Sequence, residues 1–217
     1  MNLLKEMRRM IMPSRLTRKY VERRIIANLG EGSAGHDRLM VAVDDARDMH
    51  RGKKRKNGEP VIVHERAMLI FAMDWCGIHD VDVLEAIMRH DLSEDYRKEW
   101  PFSRVERVSN RSVRNLVRAV TKPDRNDFDT DEEFHHATFA RIDAEGDRAW
   151  LVKIVDALHN HLTPWGPEDK QVEKMIRTFR FILPKAAELN FLLYELTVAL
   201  ESQMKRLKLN HKTMQEL

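Results

Sequence analysis

The sequence predicts an all-α protein, because its apolar residues recur with the period of a helix and its helix-breaking residues are few. Helical spacing dominates the chain, and the alternating pattern of a half-buried strand is hard to find. Seven prolines and eight glycines interrupt the 217 residues, mostly at places typical of loops. Hydrophobic residues make up 42% of the chain, and four Trp and eight Phe indicate a folded globule with a core.

Nine helices are predicted from this pattern, and no low-complexity linker divides them. They lie near residues 15–28, 37–50, 63–76, 80–92, 103–121, 131–145, 147–163, 168–188 and 190–209. In the helix predicted over residues 103–121, the apolar stripe consists of Val113, Leu116, Val117 and Val120.

The two ends of the chain are expected to add helices to one central domain. Residues 1–36 are predicted to form a basic N-terminal extension, residues 37–165 the core, and residues 166–217 helices that pack on the core. In the last helix, leucines follow a rhythm close to seven residues, at positions 189, 193, 196, 200 and 207. Packing against the protein's own helices explains this rhythm, and a surface for assembly into a homo-oligomer is the alternative.

Composition and charge exclude several classes of protein. The chain has no run of about 18 apolar residues, so we expect no membrane span. Its N-terminus lacks the apolar stretch and cleavage site of a signal peptide, and the single cysteine, Cys76, cannot form an internal disulfide. The formal net charge of +3 does not identify a nucleic-acid binder by itself. We therefore expect a cytoplasmic protein with neither a membrane nor nucleic acid as its partner.

Three His-Asp pairs occur in the chain, and one of them has the surroundings of a catalytic centre. The pairs at 36–37 and 79–80 precede predicted helices, where the aspartate fits a helix N-cap. The third pair, His90-Asp91, ends an apolar helix, and two further carboxylates follow three residues on. This pair offers two metal ligands at one helix end.

A divalent metal needs several His or carboxylate ligands that converge from different elements. His64 begins another apolar helix, and Asp156 lies among apolar neighbours in WLVKIVDALHNHLT. An aspartate in such surroundings is costly to bury unless a cation or hydrogen bonds satisfy it. Asn160 and Thr163 share its helix face at i+4 and i+7, which fits a polar pocket wall. The pattern therefore predicts a site around the third His-Asp pair.

Four segments, RKNGEPVIVH, HDLSED, AVTK and VDALHNHLT, occur in this order across residues 50–165. Together they resemble the HD-type hydrolase domain of the RelA/SpoT family, especially its single-domain small alarmone hydrolases. The resemblance implies that the core is an HD-domain helical bundle, with extra helices at its N- and C-terminal ends.

The resemblance also implies the roles of individual residues. The ligands of one divalent metal ion, typically Mn²⁺ in this family, would be His64, His90, Asp91 and Asp156. The catalytic carboxylates would be Glu94 and Asp95. The contacts to the nucleoside, its base and its phosphates would be Arg55, Lys56, Asn160 and Thr163. These residue types suit the roles, since a guanidinium can stack on a purine and a carboxylate can take a proton from water.

The implied activity is the removal of the 3′-diphosphate of (p)ppGpp, or a related alarmone, as pyrophosphate, which leaves GDP or GTP. In a cell this reaction would end alarmone signalling or act as an antitoxin against an alarmone synthetase. The chain departs from the family pattern near the nucleotide, where Tyr, Pro, Thr, Gly and Arg are replaced by Val61, Glu65, Tyr96, Ala119 and Leu162. Two alternatives therefore stay open: an HD-type phosphatase for another nucleotide such as NADPH, or a non-catalytic regulator that binds nucleotides or RNA.

Overall fold

The computed structural model describes residues 3–55, 58–162 and 169–206, and the prediction of an all-α protein is confirmed in these ranges. Their helices are, in order, α1 (Leu3–Met10), α2 (Arg18–Leu29), α3 (Ala34–Met49), α4 (Ile62–Asp74), α5 (Val81–Asp95), α6 (Phe102–Val108), α7 (Arg111–Val120), α8 (Asp131–Glu145), α9 (Asp147–Leu162), α10 (Asp169–Glu188) and α11 (Leu193–Arg206). None of the helices in this described part is both long and apolar enough to cross a bilayer.

Side-chain caps fix the start of several helices. Asp80 accepts hydrogen bonds from two backbone N–H groups at the start of α5, at 3.0 and 3.2 Å, so it is the N-cap that the sequence predicts. Ser33 caps α3, which therefore begins ahead of the predicted start at residue 37. The single helix predicted over 103–121 is wrong: Asn110 accepts from a backbone N–H one turn on at 2.9 Å, and this cap separates α6 from α7.

Helices α4 and α5 form the centre of the molecule. All residues of α4 from Val63 to Met73 are buried, and α5 is buried from Val83 to Ser93 except at Asp91. Helices α3, α7 and α9 pack around α5, and α9 also packs on α4. Because both central helices are enclosed on nearly every side, any polar residue on them must find its partners inside the protein.

Helices from both ends of the chain contribute to the same core. Met7 of α1 and Ile25 of α2 are fully buried, and α11 packs against α9, α10 and α1. Leu196 and Leu200 lie in the chain's own core, as expected if the leucine rhythm serves packing within the chain. Position 207 lies outside the described residues. The limits set for the extension, core and C-terminal helices stay a prediction.

A buried ion network holds α5 against α3. Arg89 is fully buried and donates to Glu85 Oε1 at 3.1 Å and to Asp45 Oδ2 at 2.6 Å. Glu85 also accepts a hydrogen bond from Arg38 at 2.7 Å. Because Arg89 directly precedes His90, the network helps to fix the orientation of the helix end on which the predicted site depends.

Replacing Arg89 by alanine is expected to lower the free energy of unfolding by about 3 kcal/mol, because Glu85 loses one of its two cationic partners. The matched control is Arg111→Ala, whose side chain is 79% exposed beside Glu106. That change should alter the free energy of unfolding by less than about 1 kcal/mol. Urea denaturation measures both values, and equal values would contradict the role given to the network.

Candidate functional site

The predicted metal ligands meet in a small cavity between α4, α5 and α9. His64 comes from the first turn of α4, His90 and Asp91 from the C-terminal part of α5, and Asp156 from α9. The structure therefore brings together all four residues predicted to hold a metal. The cavity has a volume of about 110 Å³, and its lining also includes Arg55, Glu94, Lys122, Lys153 and Asn160.

Three of these side chains, His64, His90 and Asp156, have ligand atoms within 4.8 Å of one another, and Asp91 lies beside both histidines. His64 Nε2 lies 3.3 Å from Asp156 Oδ1 and 3.8 Å from Asp91 Oδ2. His90 Nε2 lies 3.1 Å from Asp91 Oδ1. Donors about 2.1 Å from a shared cation, at angles of roughly 90–110°, stand about 3.0–3.4 Å apart. Two of the three distances fall in this range, and the group of His64, His90 and Asp156 fits a divalent metal ion.

The same residues concentrate negative charge inside the protein. Burial raises the pKa of Asp91 and Asp156, but the two imidazoles, and Lys153 beside Asp156, hold both pKa values below the usual range. Burial lowers the pKa of His90, yet the charge of Asp91 and its hydrogen bond to the ring raise it to about 10. The two carboxylates therefore require a positive charge between them, which a proton or a metal ion can supply.

Outer contacts orient Asp156 towards the centre of the cavity. Lys153 Nζ donates to Asp156 Oδ2 at 2.8 Å, and Asn160 Nδ2 donates to Oδ1 at 2.8 Å. Arg55 donates to Asn160 Oδ1 at 3.1 Å, which links the loop before α4 to the ligand set. Contacts of this kind normally fix the orientation of metal ligands.

Only some of the predicted catalytic and nucleotide-binding residues line the cavity. Glu94 lines the cavity, whereas Asp95 is exposed at the last residue of α5 and is not part of the lining. Arg55 and Asn160 line the cavity as well. Two further predicted contacts, Lys56 and Thr163, lie outside the described residues.

Lys122 belongs to the site although the sequence analysis gave it no role. Its Nζ donates to Glu94 Oε1 at 2.7 Å, and its side chain is 49% exposed at the mouth of the cavity. Lys122 and Lys153 also line a neighbouring, more apolar cavity of about 410 Å³, to which Arg125 contributes. The available signal in the sequence was the place of this lysine in the segment AVTK.

His159 is a second residue without a role in the sequence analysis. It is buried, and its Nδ1 lies 2.8 Å from Nδ1 of His64. Because Nε2 of His64 faces the carboxylates, a metal there would leave Nδ1–H of His64 as the donor and Nδ1 of His159 as the acceptor. Burial, followed by the charge of His64, holds the pKa of His159 well below its usual value, which keeps the acceptor unprotonated. The signal in the sequence was its place three residues after Asp156.

Replacing His159 by phenylalanine is expected to weaken metal binding by about 10- to 100-fold, because the ring is kept but the acceptor for His64 is lost. Calorimetric titration with Mn²⁺ measures the affinity without any substrate. The same substitution at His136, whose side chain is 66% exposed on α8, is the control. An unchanged affinity in the His159→Phe variant would show that His64 does not depend on this contact.

Comparison with known proteins finds relatives named as guanosine-3′,5′-bis(diphosphate) 3′-pyrophosphohydrolases and others named as GTP pyrophosphokinase or diphosphokinase, although no protein-family model matches the chain. It is 30% identical over 149 residues to the guanosine-3′,5′-bis(diphosphate) 3′-pyrophosphohydrolase MESH1 of Homo sapiens, which covers 63% of this chain and 77% of that protein. It is 30% identical over 145 residues, 65% of this chain, to a probable guanosine-3′,5′-bis(diphosphate) 3′-pyrophosphohydrolase of Synechocystis sp.. It is 31% identical over 129 residues, 58% of this chain, to the bifunctional (p)ppGpp synthase/hydrolase SpoT of Escherichia coli. The matches span 19% and 18% of these two longer relatives, so the chain corresponds to about a fifth of their length.

A solved structure shares the arrangement of helices. It is described as a metazoan ortholog of SpoT that hydrolyzes ppGpp and plays a role in starvation responses. The TM-score is 0.63 at 23% sequence identity, and the match covers 82% of this chain and 98% of that one. At this identity the likeness concerns the fold alone, and it confirms the predicted HD-domain helical bundle.

Proposed function

We propose, since the chain belongs to the family of guanosine-3′,5′-bis(diphosphate) 3′-pyrophosphohydrolases, that it hydrolyses (p)ppGpp or a close relative to GDP or GTP and pyrophosphate. The observation that carries the proposal is the buried group of His64, His90 and Asp156, with Glu94 on the same cavity. A module that only binds nucleotides has no need of a set of metal ligands with a further carboxylate on the same cavity. The site therefore favours an enzyme over a non-catalytic regulator.

The metal in this proposal is Mn²⁺, held by His64, His90, Asp91 and Asp156. Two imidazoles and two carboxylates form a mixed nitrogen and oxygen set that suits such a cation. When bound, the cation polarises the phosphoryl group and makes water more acidic.

Glu94 is the general base in this proposal. It lies one helical turn beyond His90 and lines the cavity without being one of the metal ligands. The oxygen of a water molecule bonds to the 3′-phosphorus, the bond from that phosphorus to O3′ breaks, and Glu94 accepts the proton of the water. O3′ takes up a proton from solvent water and becomes the ribose hydroxyl. Lys122, at 2.7 Å from Glu94, fixes the carboxylate until a substrate phosphate competes for the lysine.

The arrangement of cations supports a diphosphate as the group removed. Lys122 and Lys153 line both cavities, and Arg125 lines the larger one beyond them. Three cations on two neighbouring cavities match a group that carries more than one phosphate, since lysine and arginine both bind phosphate oxygens well. Arg55 and Asn160 are then left to contact the nucleoside.

Product analysis tests the proposed function. Protein loaded with Mn²⁺ is incubated with ppGpp and, separately, with NADPH. We expect pyrophosphate and GDP from ppGpp. Orthophosphate from NADPH without turnover of ppGpp would assign a phosphatase of another nucleotide, and salt-sensitive RNA binding without any turnover would assign a regulator.

A further inference from the structure

Outside the cavity, three residues from three helix ends meet in a buried contact. His50 is the C-cap of α3, Glu65 lies in the first turn of α4, and Tyr96 is the C-cap of α5. His50 Nε2 lies 2.8 Å from Glu65 Oε1, and His50 Nδ1 lies 3.1 Å from the Tyr96 hydroxyl. The side chains of His50 and Glu65 are 0% exposed, so a carboxylate and an imidazole are paired out of reach of water.

Each member of this triad of His50, Glu65 and Tyr96 is next in sequence to a segment of the proposed site. Glu65 directly follows His64, Tyr96 directly follows the two predicted catalytic carboxylates, and His50 begins the loop that supplies the arginine of the cavity. A displacement of any of these helix ends would therefore move a metal ligand, a catalytic group or a nucleotide contact. The triad joins all three segments through one ring.

Two members of the triad are departures from the pattern of the resembled family. That pattern has proline after the histidine corresponding to His64, and threonine where Tyr96 stands. A proline side chain cannot pair with an imidazole, and a threonine side chain is shorter than tyrosine by a whole ring. Glu65 and Tyr96 thus replace two unrelated residues, and both replacements contact the same histidine. They form one matched contact in this chain.

The charges of the triad are compatible with a fixed geometry. Burial lowers the pKa of His50, but Glu65 raises it above its usual value, which favours the imidazolium and an ion pair. A pair held in a poorly solvated interior interacts more strongly than the same pair at the surface. With its second nitrogen on the Tyr96 hydroxyl, the ring cannot turn without losing a partner.

We propose that His50 is a positioning residue, which holds the end of α5 with Glu94 against α4 through Tyr96 and Glu65. The inference rests on the proposed function, because this positioning affects turnover only if Glu94 takes the proton. His50 itself is not part of the cavity lining. It acts through the two helix ends that it connects.

Kinetics of the single and double variants test the proposal. We expect kcat for ppGpp to fall about tenfold in Tyr96→Phe and about 100-fold in His50→Gln, with KM and Mn²⁺ affinity within about twofold of the unchanged protein. The double variant should be no slower than His50→Gln, because the hydroxyl acts through the ring. Matched controls are Tyr194→Phe, at a residue that is 69% exposed, and His79→Gln, at an exposed residue before α5.

Two outcomes would overturn the proposal. A merely structural role would lower the unfolding midpoint while kcat per metal-loaded site stayed unchanged. Additive losses in the double variant would show that Tyr96 and His50 act separately.

Hydrogen exchange separates this proposal from the proposed function. The Tyr96 amide donates to Leu92 O at 3.0 Å and the Trp100 amide donates to Tyr96 O at 2.7 Å, so both amides report on the end of α5. Faster exchange of both in Tyr96→Phe supports the contact, whether or not ppGpp is turned over. Unchanged exchange contradicts it. In a further outcome, the unchanged protein fails to turn over ppGpp while the variant still shows faster exchange. That result would reject ppGpp as the substrate but would support the contact between Tyr96 and His50.

Discussion

An Asp156→Asn variant is expected to bind Mn²⁺ at least about 100-fold more weakly than the unchanged protein and to lose turnover of ppGpp. The amide keeps the shape of the side chain but removes the negative charge that faces His64 Nε2 at 3.3 Å. Lys153, at 2.8 Å from the other oxygen, would then face a neutral group, and Arg55, Lys122 and Lys153 would line a cavity with one carboxylate fewer. The binding free energy of a metal ion in such surroundings is therefore small.

Calorimetric titration of metal-stripped protein and an assay for pyrophosphate measure the two effects in the same samples. The control is Asp129→Asn, at an exposed residue in the segment before α8. Full turnover in Asp156→Asn would show that the assigned site is wrong. Lost turnover with unchanged Mn²⁺ affinity would remove Asp156 from the ligand set.

A Glu94→Gln variant is expected to keep its Mn²⁺ affinity and to lose kcat by roughly 100- to 10,000-fold. Glutamine has the size of glutamate but cannot accept the proton of the attacking water. KM should stay similar or fall, because Lys122 loses its ionic partner at 2.7 Å and becomes free to bind phosphate. The combination of intact metal binding and lost kcat distinguishes a general base from a ligand.

Steady-state kinetics beside metal titration provide this comparison, with Glu99→Gln at an exposed residue as the control. A kcat within about threefold of the unchanged protein would exclude Glu94 as the proton acceptor. The neighbouring Asp95, exposed at the end of α5, would then be the next carboxylate to exchange for its amide.

Apolar spacing predicts helices in this chain wherever one face of a helix is buried. It fails where a local cap ends a helix, or where a tertiary contact stabilises a short one. Val105 and Val113 are both buried, so the apolar pattern continues across the break that the Asn110 cap creates. Helix α1 has eight residues, too few for a clear signal. Met7 on this helix is buried, and the helix packs against α4, α9 and α11, which the local sequence does not encode.

Some residues of the candidate site could likewise be predicted from the sequence, and others could not. Residue types and the order of four segments were enough to name His64, His90 and Asp156, whose ligand atoms lie within 4.8 Å of one another. Lys122 and His159 owe their places to contacts across 28 and 95 residues of sequence. No local period predicts such pairings, because they depend on how α4, α7 and α9 pack around α5.

The proposal of a metal-dependent release of pyrophosphate is tested most directly with metal-stripped protein and ppGpp. Products are resolved as pyrophosphate, orthophosphate and nucleotide, before and after Mn²⁺ is added back. We expect no turnover without Mn²⁺, and equal amounts of pyrophosphate and GDP once it is restored. Turnover at the same rate without metal, or no turnover of ppGpp by protein that has bound Mn²⁺, would contradict the proposal.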